Sequence, residues 1–262
     1  ANPMDSKRSD SFPYRYELHC HTNWCSRCAH NSPQELAQAY WEKGYAGMVI
    51  TDHFLLGSTA VDSNLSWEEK ARRYNAPQEA VNRWAQEHGY DFQAFFGLEH
   101  QYGGGKEVLT YGIDLEFLLA HPDLHLLPLP AYAAAVRQGG GWIAMAHPFR
   151  EEPYIDPTIQ PQPACLDGAE AFNYGNRTDR ENQRAVAFIR QHHIVPPSGG
   201  DVHSIADPGL GQAGIALRQR ARSSQDLVQA LREGNYCLLI RGEWVLPDEV
   251  LAGTPKLWAD HR

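Results

Sequence analysis

The sequence predicts an α/β fold in which a parallel sheet closes into a (β/α) barrel, formed as a single domain. Short β-rich runs alternate with helix-like stretches along most of the chain, and about seven such units fit a length of 262 residues. No repeat, low-complexity tract or linker marks a domain boundary. A doubly wound open sheet is the alternative arrangement. We expect residues 1–13 to be a partly disordered tail and residues 14–262 to form the barrel domain.

The predicted strands are short apolar runs bounded by glycine, proline or polar residues. In chain order they cover residues 14–21, 47–51, 92–99, 107–113, 142–146, 166–172, 195–198, 214–217 and 236–240. The fourth run follows the turn Gly103-Gly104-Gly105, so we expect it to be a hairpin partner of the third. The proline-rich residues 152–163 are predicted to form a long loop over an active site.

Capping residues mark the starts of the predicted helices. Ser32 and Glu35 form a capping box around Pro33 at the first helical position, and Gly44 ends this helix. Further helices are predicted over residues 66–88, 178–191 and 224–233. Within the first of these, Pro77 is expected to interrupt the helix, because proline lacks the amide hydrogen that the helix needs.

Composition and charge disfavour several classes of protein. The chain has 23 Lys and Arg against 32 Asp and Glu, a net charge of −9, which argues against binding nucleic acid or anionic membrane through a basic surface. No apolar run reaches the ~18 residues of a membrane span, and the N-terminus lacks a secretory signal, so we expect a cytoplasmic protein. Of five cysteines, Cys20, Cys25 and Cys28 crowd together, which indicates thiols and not a disulfide framework.

Histidines and carboxylates stand at the carboxyl ends of several predicted strands. They are His19, His21, His53, Glu99, His147, Asp201 and His203. In a β/α barrel these ends share one rim, so we expect the side chains to converge. His19 and His21 are two apart on a strand and point to the same side, and Asp201 and His203 repeat this spacing. Imidazoles with carboxylates suit Zn²⁺, Mn²⁺ or Fe²⁺, and Glu99 can bridge two ions.

In order and spacing these motifs resemble the PHP (polymerase and histidinol phosphatase) domain family of metal-dependent phosphoesterases. The resemblance covers Glu17-Leu18-His19-Cys20-His21-Thr22, Thr51-Asp52-His53, Gly97-Leu98-Glu99, Ala146-His147-Pro148 and Gly199-Gly200-Asp201-Val202-His203. It implies a distorted TIM-like (β/α)7 barrel with two or three divalent ions on its rim. The ligand sets implied are His19, His21, Glu99 and Asp201; Glu99 and His147; and His53 and His203.

Two positions depart from the family pattern. Many members have a histidine six residues after the H-x-H pair, where this chain has Arg27. This change weakens the third ion site, which Cys28 or a water could complete, or leaves that ion absent. Many members have a second histidine on the strand after the glutamate, where the best alignment gives Glu107. There Glu107 is the candidate ligand and His100 a lesser one.

The resemblance implies hydrolysis of a small phosphomonoester, a nucleotide or other small metabolite, by a metal-activated hydroxide. Without the third ion, His53 and His203 are candidates for proton transfer, and Asp52 is a candidate to orient a ligand imidazole. Candidate substrate contacts are Arg150, Arg27 and Asn173. A locally positive site in an acidic protein favours small phosphates, so we do not expect a nucleic-acid polymer or a membrane as a partner.

Three alternatives stay open at this point. The second enzyme is a histidinol-phosphatase, since no residue that sets specificity can be identified. A metal-binding module without turnover would need the same ligands. The segment Trp24-Cys25-Ser26-Arg27-Cys28 matches the W-C-x-x-C motif of thioredoxin-like oxidoreductases, which predicts a thiol redox protein with no use for a metal rim.

Overall fold

The computed structural model describes the backbone of residues 3–253 and the side chains of residues 7–253. The last residues of the expected domain, 254–262, lie outside this range. The strands are β1 (Tyr14–Glu17), β2 (Gly47–Ile50), β3 (Gln93–Gly103), β4 (Lys106–Tyr111), β5 (Trp142–Met145), β6 (Gly168–Ala169), β7 (Phe172–Asn173), β8 (Ser198–Gly199), β9 (Ala213–Leu217), β10 (Cys237–Ile240) and β11 (Glu243–Val245). The helices are α1 (Pro3–Ser11), α2 (Pro33–Glu42), α3 (Trp67–His88), α4 (Leu115–Ala120), α5 (Leu129–Gln138), α6 (Asp179–His192), α7 (Ser224–Glu233) and α8 (Pro247–Leu251).

A curled, mixed sheet of nine strands runs in the order β11-β10-β9-β1-β2-β3-β4-β5-β6, and β7 pairs separately with β8. Neighbours β1 and β2, β2 and β3, β5 and β6, and β7 and β8 are parallel. The remaining pairs are antiparallel. The α/β class is therefore confirmed. The antiparallel pairs depart from a regular βα repeat, and the seven-unit count and single domain stay predictions.

Two isolated bridges extend the strand pairing, one beside β6 and one just after β1. Gly168 pairs with Val195, and Cys20 pairs with Val202, both in parallel orientation. The His21 amide donates to the Val202 carbonyl at 2.9 Å, which fixes the turn after β8 beside the turn after β1. Residues far apart in the sequence are thereby brought to one edge of the sheet.

The buried side chains form two layers on opposite faces of the sheet. Along β2, Met48 and Ile50 pack with Leu36 of α2 and Val81 of α3, whereas Val49 points into the other layer. This alternation follows from the two-residue period of a strand. None of the described helices is long and apolar enough to cross a membrane, and a cytoplasmic location stays a prediction.

Helix α3 continues through Pro77, so the predicted interruption is wrong. A capping box at Ser66 and Glu69 starts this helix, and Gly89, with φ 69°, ends it. An internal proline costs a helix about 3 kcal/mol. Buried residues on both sides of Pro77, including Tyr74 and Val81, hold the two halves against the sheet and offset that cost.

Two further differences from the predictions concern a divided strand and the N-terminal segment. The strand predicted over residues 166–172 is divided into β6 and β7, because the amide of Glu170 bonds to Met145 on β5 while that of Ala171 bonds to Pro197. The segment expected to be a tail contains α1, and Phe12 after it is buried, with its carbonyl accepting from Trp244 Nε1.

Candidate metal centre

The seven histidines and carboxylates predicted at strand ends come together in space. His19 and His21 follow β1, His53 follows β2, and Glu99 lies on β3, while the others follow β5 and β8. Three overlapping groups have ligand atoms within 4.8 Å of one another: His19, His21, Glu99 and Asp201; His53, Glu99 and Glu107; and His21, His53 and His203. All of these side chains are buried except His203, which is half-buried.

In the first group two ring nitrogens face two carboxylate oxygens. Glu99 Oε1 lies 3.0 Å from His19 Nε2 and 3.1 Å from His21 Nε2. Asp201 Oδ1 lies 3.2 Å and 3.3 Å from the same two nitrogens. The four atoms surround one small buried space.

The hydrogen-bond partners of the two rings indicate which nitrogens carry lone pairs. His19 Nδ1 donates to Glu170 Oε2 at 2.9 Å. His21 Nδ1 is 3.1 Å from Ser26 Oγ, whose own hydrogen goes to Asp52, so Ser26 accepts here. In the neutral rings both Nε2 atoms then face Glu99 and Asp201 as lone pairs, and His21 Nε2 is buried without a hydrogen-bond partner among the described residues. Lone pairs opposed to carboxylates need a cation between them, so these residues fit a divalent metal ion.

The β3–β4 hairpin supplies the two glutamates of the second group, and His53 after β2 completes it. Glu99 pairs with Leu109 and Gln101 with Glu107, so the two glutamates are diagonal neighbours on one face. Glu107 Oε2 lies 3.0 Å from His53 Nδ1, and Glu99 Oε2 lies 3.0 Å from His147 Nε2. The structure brings Glu107 into the cluster.

His100, the lesser ligand candidate, points to the opposite face of β3. It is one residue from Glu99, and successive side chains of a strand alternate between faces. Its ring stacks on Tyr132 with centroids 4.3 Å apart, and burial lowers its pKa to about 3. The structure therefore places His100 in packing and not in the cluster.

The electrostatics of the cluster follow from its alternating charges. Burial alone would raise the pKa of Glu99, but His19 and His53 hold it well below the usual range. His19 and Arg150 outweigh burial in the same way for the pKa of Asp201. Conversely, burial would lower the pKa of His19, but Asp201 and its neighbours hold it well above the usual value. Without metal, protons occupy the positions that a cation would take.

We therefore expect metal binding to release protons and to strengthen as pH rises. In the metal-free chain, hydrogen bonding to Cys28 and the charge of Asp201 outweigh burial and raise the pKa of His203 to about 9. A metal ion needs the neutral ring, so affinity should rise by up to about tenfold per pH unit for each proton displaced. Chelator competition between pH ~6 and ~9 measures this slope. An affinity that is flat or falls over this range would contradict the prediction.

Two ligand candidates have strained backbone conformations. His147 has φ 29° and Asp201 has φ 54°, in the left-handed region that costs a residue with a side chain about 1–3 kcal/mol. The His147 amide donates to Glu170 Oε1 at 2.8 Å, and the Gly200 amide next to Asp201 donates to Glu17 Oε2 at 2.9 Å. Such strain persists where the surroundings hold a side chain in a functional position.

Sequence interpretation missed three buried residues that hold the ligands: Glu17, Ser26 and Glu170. Glu17 Oε2 accepts from the amides of Leu18, His19 and Gly200, and burial raises the pKa of Glu17 to about 7. Glu17 and Glu170 both lie within apolar runs predicted as strands. A carboxylate in such a run is the signal that could have found them, because it must be paired when buried.

Ser26→Ala is expected to weaken metal binding by about 10- to 100-fold, because the His21 ring loses the acceptor that fixes its hydrogen on Nδ1. The matched control is Ser66→Ala, which removes a hydroxyl that caps α3 and should cost about 1 kcal/mol of stability without weakening metal binding. Chelator competition and thermal unfolding separate the two effects. Equal metal affinities in both variants would refute the role of Ser26.

The predicted substrate contacts differ in their surroundings. Arg150 donates to Asp201 Oδ2 at 2.9 Å and to Asn173 Oδ1 at 2.8 Å, so its guanidinium already braces the cluster. Asn173 is fully buried and donates to Glu170 Oε1. Arg27 is exposed and is not among the described residues that line the cavity at the cluster.

Asp52, the residue predicted to orient a ligand imidazole, accepts a hydrogen bond from Ser26 Oγ at 2.7 Å. Ser26 Oγ in turn lies 3.1 Å from His21 Nδ1, so Asp52 is linked to the His21 ring through Ser26.

A cavity of about 370 Å³ opens onto the cluster. Its walls include His53, Glu107, His147 and Arg150, and Tyr154 from the proline-rich loop. A second cavity of about 580 Å³ lies under that loop and shares Arg150 with the first. The loop therefore borders the approach to the cluster.

The cysteines of the W-C-x-x-C segment have different surroundings. Both are free; Cys25 is buried and donates to the Arg73 carbonyl, whereas Cys28 is exposed and lines the cavity. Burial would raise the pKa of Cys28, but hydrogen bonds with His203 and His53 lower it to about 5. This arrangement does not favour a redox pair.

Comparison with solved structures shows a shared fold. A two-domain protein from Bacteroides vulgatus, which contains a predicted PHP-like metal-dependent phosphoesterase, matches with TM-score 0.62 and 12% identity over 87% of this chain and 65% of that one. PsfC from Pseudomonas syringae matches with TM-score 0.60 and 15% identity over 91% and 93%. The lesion-specific endonuclease PfuEndoQ from Pyrococcus furiosus matches with TM-score 0.58 and 14% identity over 86% and 57%. No protein-family model and no curated protein matches the sequence.

The chain has the fold of PHP-like metal-dependent phosphoesterases, and the resemblance inferred from its motifs is confirmed at this level. It spans about two thirds of the Bacteroides protein, 65%, and 57% of PfuEndoQ.

The prediction that a nucleic-acid polymer is not an expected partner is wrong for this fold. Endonuclease Q, which shares this fold, has been solved with a 27-mer duplex substrate whose abasic lesion lies at the active site. The net charge of −9 is a sum over the whole chain and does not describe the local field at the cluster.

Proposed function

We propose that the chain is a divalent-metal-dependent hydrolase of phosphoester bonds. The observation that carries the proposal is the buried arrangement of His19, His21, Glu99 and Asp201, with two ring nitrogens facing two carboxylate oxygens. The PHP-like fold supports it. The open cavity favours it over a metal-binding module without turnover, because a structural ion needs no access for substrate.

When bound, divalent ions would neutralise phosphoryl oxygens and lower the pKa of water. The chain's own residues would hold those ions in place. Glu170 and Ser26 keep the ring hydrogens of His19 and His21 on Nδ1. Arg150 braces Asp201 and also lines the cavity, so it remains our proposed phosphate contact.

Proton transfer by His203 would use one ring nitrogen only. Its Nδ1 donates to the Asp201 carbonyl at 2.9 Å, so Nε2 is the nitrogen with a lone pair. His53 likewise has Nδ1 at 3.0 Å from Glu107, which leaves Nε2. The Nε2 atoms of His203 and His53 can accept a proton only when no metal ion is bound to them.

A small phosphomonoester, such as a nucleotide or another phosphorylated metabolite, is the substrate class that we propose first. A cavity of about 370 Å³ is within the size range of small-molecule sites. Histidinol phosphate is the alternative within this class. Duplex DNA with an abasic lesion is the second candidate, since endonuclease Q acts on such a duplex with a related fold. Zinc, manganese and iron all suit the ligand set.

The test combines metal analysis with a substrate panel. The full chain is stripped with chelator and reloaded with Mn²⁺, Zn²⁺ or Fe²⁺. It is then assayed on a chromogenic phosphomonoester, mononucleotides, histidinol phosphate and an abasic-site duplex. We expect metal-dependent release of phosphate from a small substrate. Cleavage of the duplex alone would move the assignment to DNA, and no turnover with any ion would refute the enzyme.

A further inference from the structure

The cavity of about 580 Å³ under the proline-rich loop, here called the loop cavity, adjoins the metal cluster but has different walls. Arg150 lines both the loop cavity and the cavity that opens onto the cluster. At the β3–β4 turn the two cavities divide, because Gly105 borders the cluster cavity and Lys106 borders the loop cavity. The loop cavity is therefore a candidate site for the part of a substrate that lies beyond its phosphate.

The proline-rich loop packs directly on the backbone of the β3–β4 turn. The Asp156 amide donates to the Gly104 carbonyl at 2.7 Å. A Cβ atom at Gly105 would lie 2.6 Å from the Tyr154 carbonyl oxygen, so only glycine fits there. This contact forms one side of the loop cavity. The apolar walls are Phe149, Ile155, Pro157 and Ile159.

Lys106 places a buried cation in the wall of the loop cavity. The residue is 8% exposed, and its Nζ donates to the Pro148 carbonyl at 3.4 Å, which is long for a hydrogen bond. An ammonium group has three hydrogens, and among the described residues Lys106 has no carboxylate partner. Buried charges in proteins are normally paired, so this ammonium points to an anion that the chain itself does not supply.

The two glutamates that line the loop cavity already have cationic partners. Glu151 Oε1 lies 3.2 Å from Arg184 Nη1, and Glu152 Oε1 lies 2.8 Å from Arg177 Nε. Arg150, the cation shared with the cluster cavity, is paired with Asp201. Lys106 is thus the cation of these walls that remains for a ligand.

The charges around Lys106 also favour an anion. Burial and the positive charge of Arg184 lower the pKa of Lys106, and Asp156 opposes them without offsetting them. The Asp156 carboxylate is engaged with the amide and hydroxyl of Thr158, at 2.9 Å and 2.7 Å. Arg184 lies against the cavity wall, with its guanidinium 4.8 Å from the centroid of the Phe149 ring. An anion beside Lys106 would be attracted by both cations.

We propose that Lys106 binds a second anionic group of the substrate, a carboxylate or a phosphate, in the loop cavity. The apolar walls beside Lys106 suit the carbon skeleton that joins this group to the scissile phosphate. The inference rests on the proposed phosphoesterase and names its substrate class, a phosphomonoester whose leaving group is itself an anion. Histidinol phosphate is disfavoured, because its leaving group carries an ammonium that Lys106 and Arg184 repel.

A matched series of alkyl phosphates tests the charge preference. At each chain length the far end is a carboxylate, a phosphonate, a methyl group or an ammonium, and the phosphonate stands for a phosphate that is not itself hydrolysed. The full chain is loaded with the ion that gives turnover. At the best chain length we expect kcat/KM for an anionic end to exceed that for the methyl end by about 10- to 100-fold. The ammonium end should give the lowest value, and the first two esters decide between carboxylate and phosphate.

Lys106→Met should bring the ratio of kcat/KM between carboxylate and methyl ends close to one. Methionine keeps most of the length of lysine and removes the charge. The ratio is the readout, because a general loss of activity cancels from it. Lys7→Met, the same change at an exposed position of α1, is the control and should keep the parent's ratio.

Acetylation of lysines in the metal-stripped parent adds a test that needs neither turnover nor a variant. A straight-chain alkanoate carries the anionic group and the apolar skeleton without a phosphate. It should slow the acetylation of Lys106, measured on peptides by mass spectrometry, whereas the alcohol of the same length should not. The exposed Lys7 should react equally with either present.

The outcomes distinguish this inference from the proposed function. Equal kcat/KM for carboxylate and methyl ends, a preference that survives Lys106→Met, or a Lys106 that alkanoate leaves unprotected would overturn the anion site and leave the phosphoesterase standing. Absence of turnover on every ester, with Lys106 protected by alkanoate, would refute the phosphoesterase and leave only an anion site. If Lys106→Met fails to fold, the acetylation test decides.

Discussion

Glu99→Gln is expected to remove bound metal and phosphoesterase activity together. Glu99 is the carboxylate on which the cluster converges: Oε1 lies 3.0 Å from His19 Nε2 and 3.1 Å from His21 Nε2, and Oε2 lies 3.0 Å from His147 Nε2. A divalent ion supplies several kcal/mol of transition-state stabilisation. Loss of a ligand shared in this way should therefore reduce kcat/KM by about a thousandfold, or about 4 kcal/mol.

The fold should survive this change, because glutamine has the same shape and the variant removes a buried charge. Metal content by mass spectrometry, kcat/KM on one substrate and thermal unfolding are measured on the same preparation. Glu116→Gln, which makes the same change at an exposed position in the first turn of α4, is the control. Full metal occupancy and activity in Glu99→Gln would refute the site.

The main ligand candidates could be predicted because they directly follow or end apolar runs. The period of a strand also puts His19 and His21 on one side. Their supporting residues could not be predicted in the same way. Glu170, which bonds the His19 ring, is 151 positions away in the sequence, and no local pattern indicates which strands will be neighbours.

The direction of strand pairing could likewise not be predicted from the alternation of strand-like and helix-like segments. β9 runs antiparallel to β1, with Tyr14 opposite Leu217, whereas a βα repeat predicts a parallel strand there. A run of buried apolar residues is compatible with a parallel or an antiparallel neighbour, so it does not indicate the direction of pairing. Pro77 shows the same limit in a helix, since packing on both sides of it outweighs its local preference.

Asp201→Asn is the second change with a large expected effect, and it should act on metal binding and on stability separately. Oδ1 faces His19 Nε2 at 3.2 Å and His21 Nε2 at 3.3 Å, while Oδ2 pairs with Arg150 at 2.9 Å. The side chains of Asp201 and Arg150 are only 4% and 10% exposed. Removing the carboxylate leaves a buried guanidinium without its counter-ion, which costs about 3–5 kcal/mol.

In the metal-free chain, the stability lost in Asp201→Asn is expected to change with pH in a definite direction. Despite burial, His19 and Arg150 hold the folded-state pKa of Asp201 well below its usual value of about 3.9. The stability that this carboxylate contributes is therefore present above pH ~4 and is lost as pH falls through the folded-state pKa. Urea unfolding should show the full difference between parent and variant at neutral pH and a smaller one below pH ~4. A difference that grows in acid would contradict this account.

A double variant separates the two roles of Asp201. In Asp201→Asn with Arg150→Met, no buried guanidinium is left unpaired, and an apolar side chain of similar length fills its place. We expect this protein to recover part of the lost stability, because the two residues are coupled, and to remain without metal in the His19 group. Recovery of metal together with stability would mean that Asp201 acts only by neutralising Arg150. Recovery of stability alone would mean that its Oδ1 is needed by the ion itself.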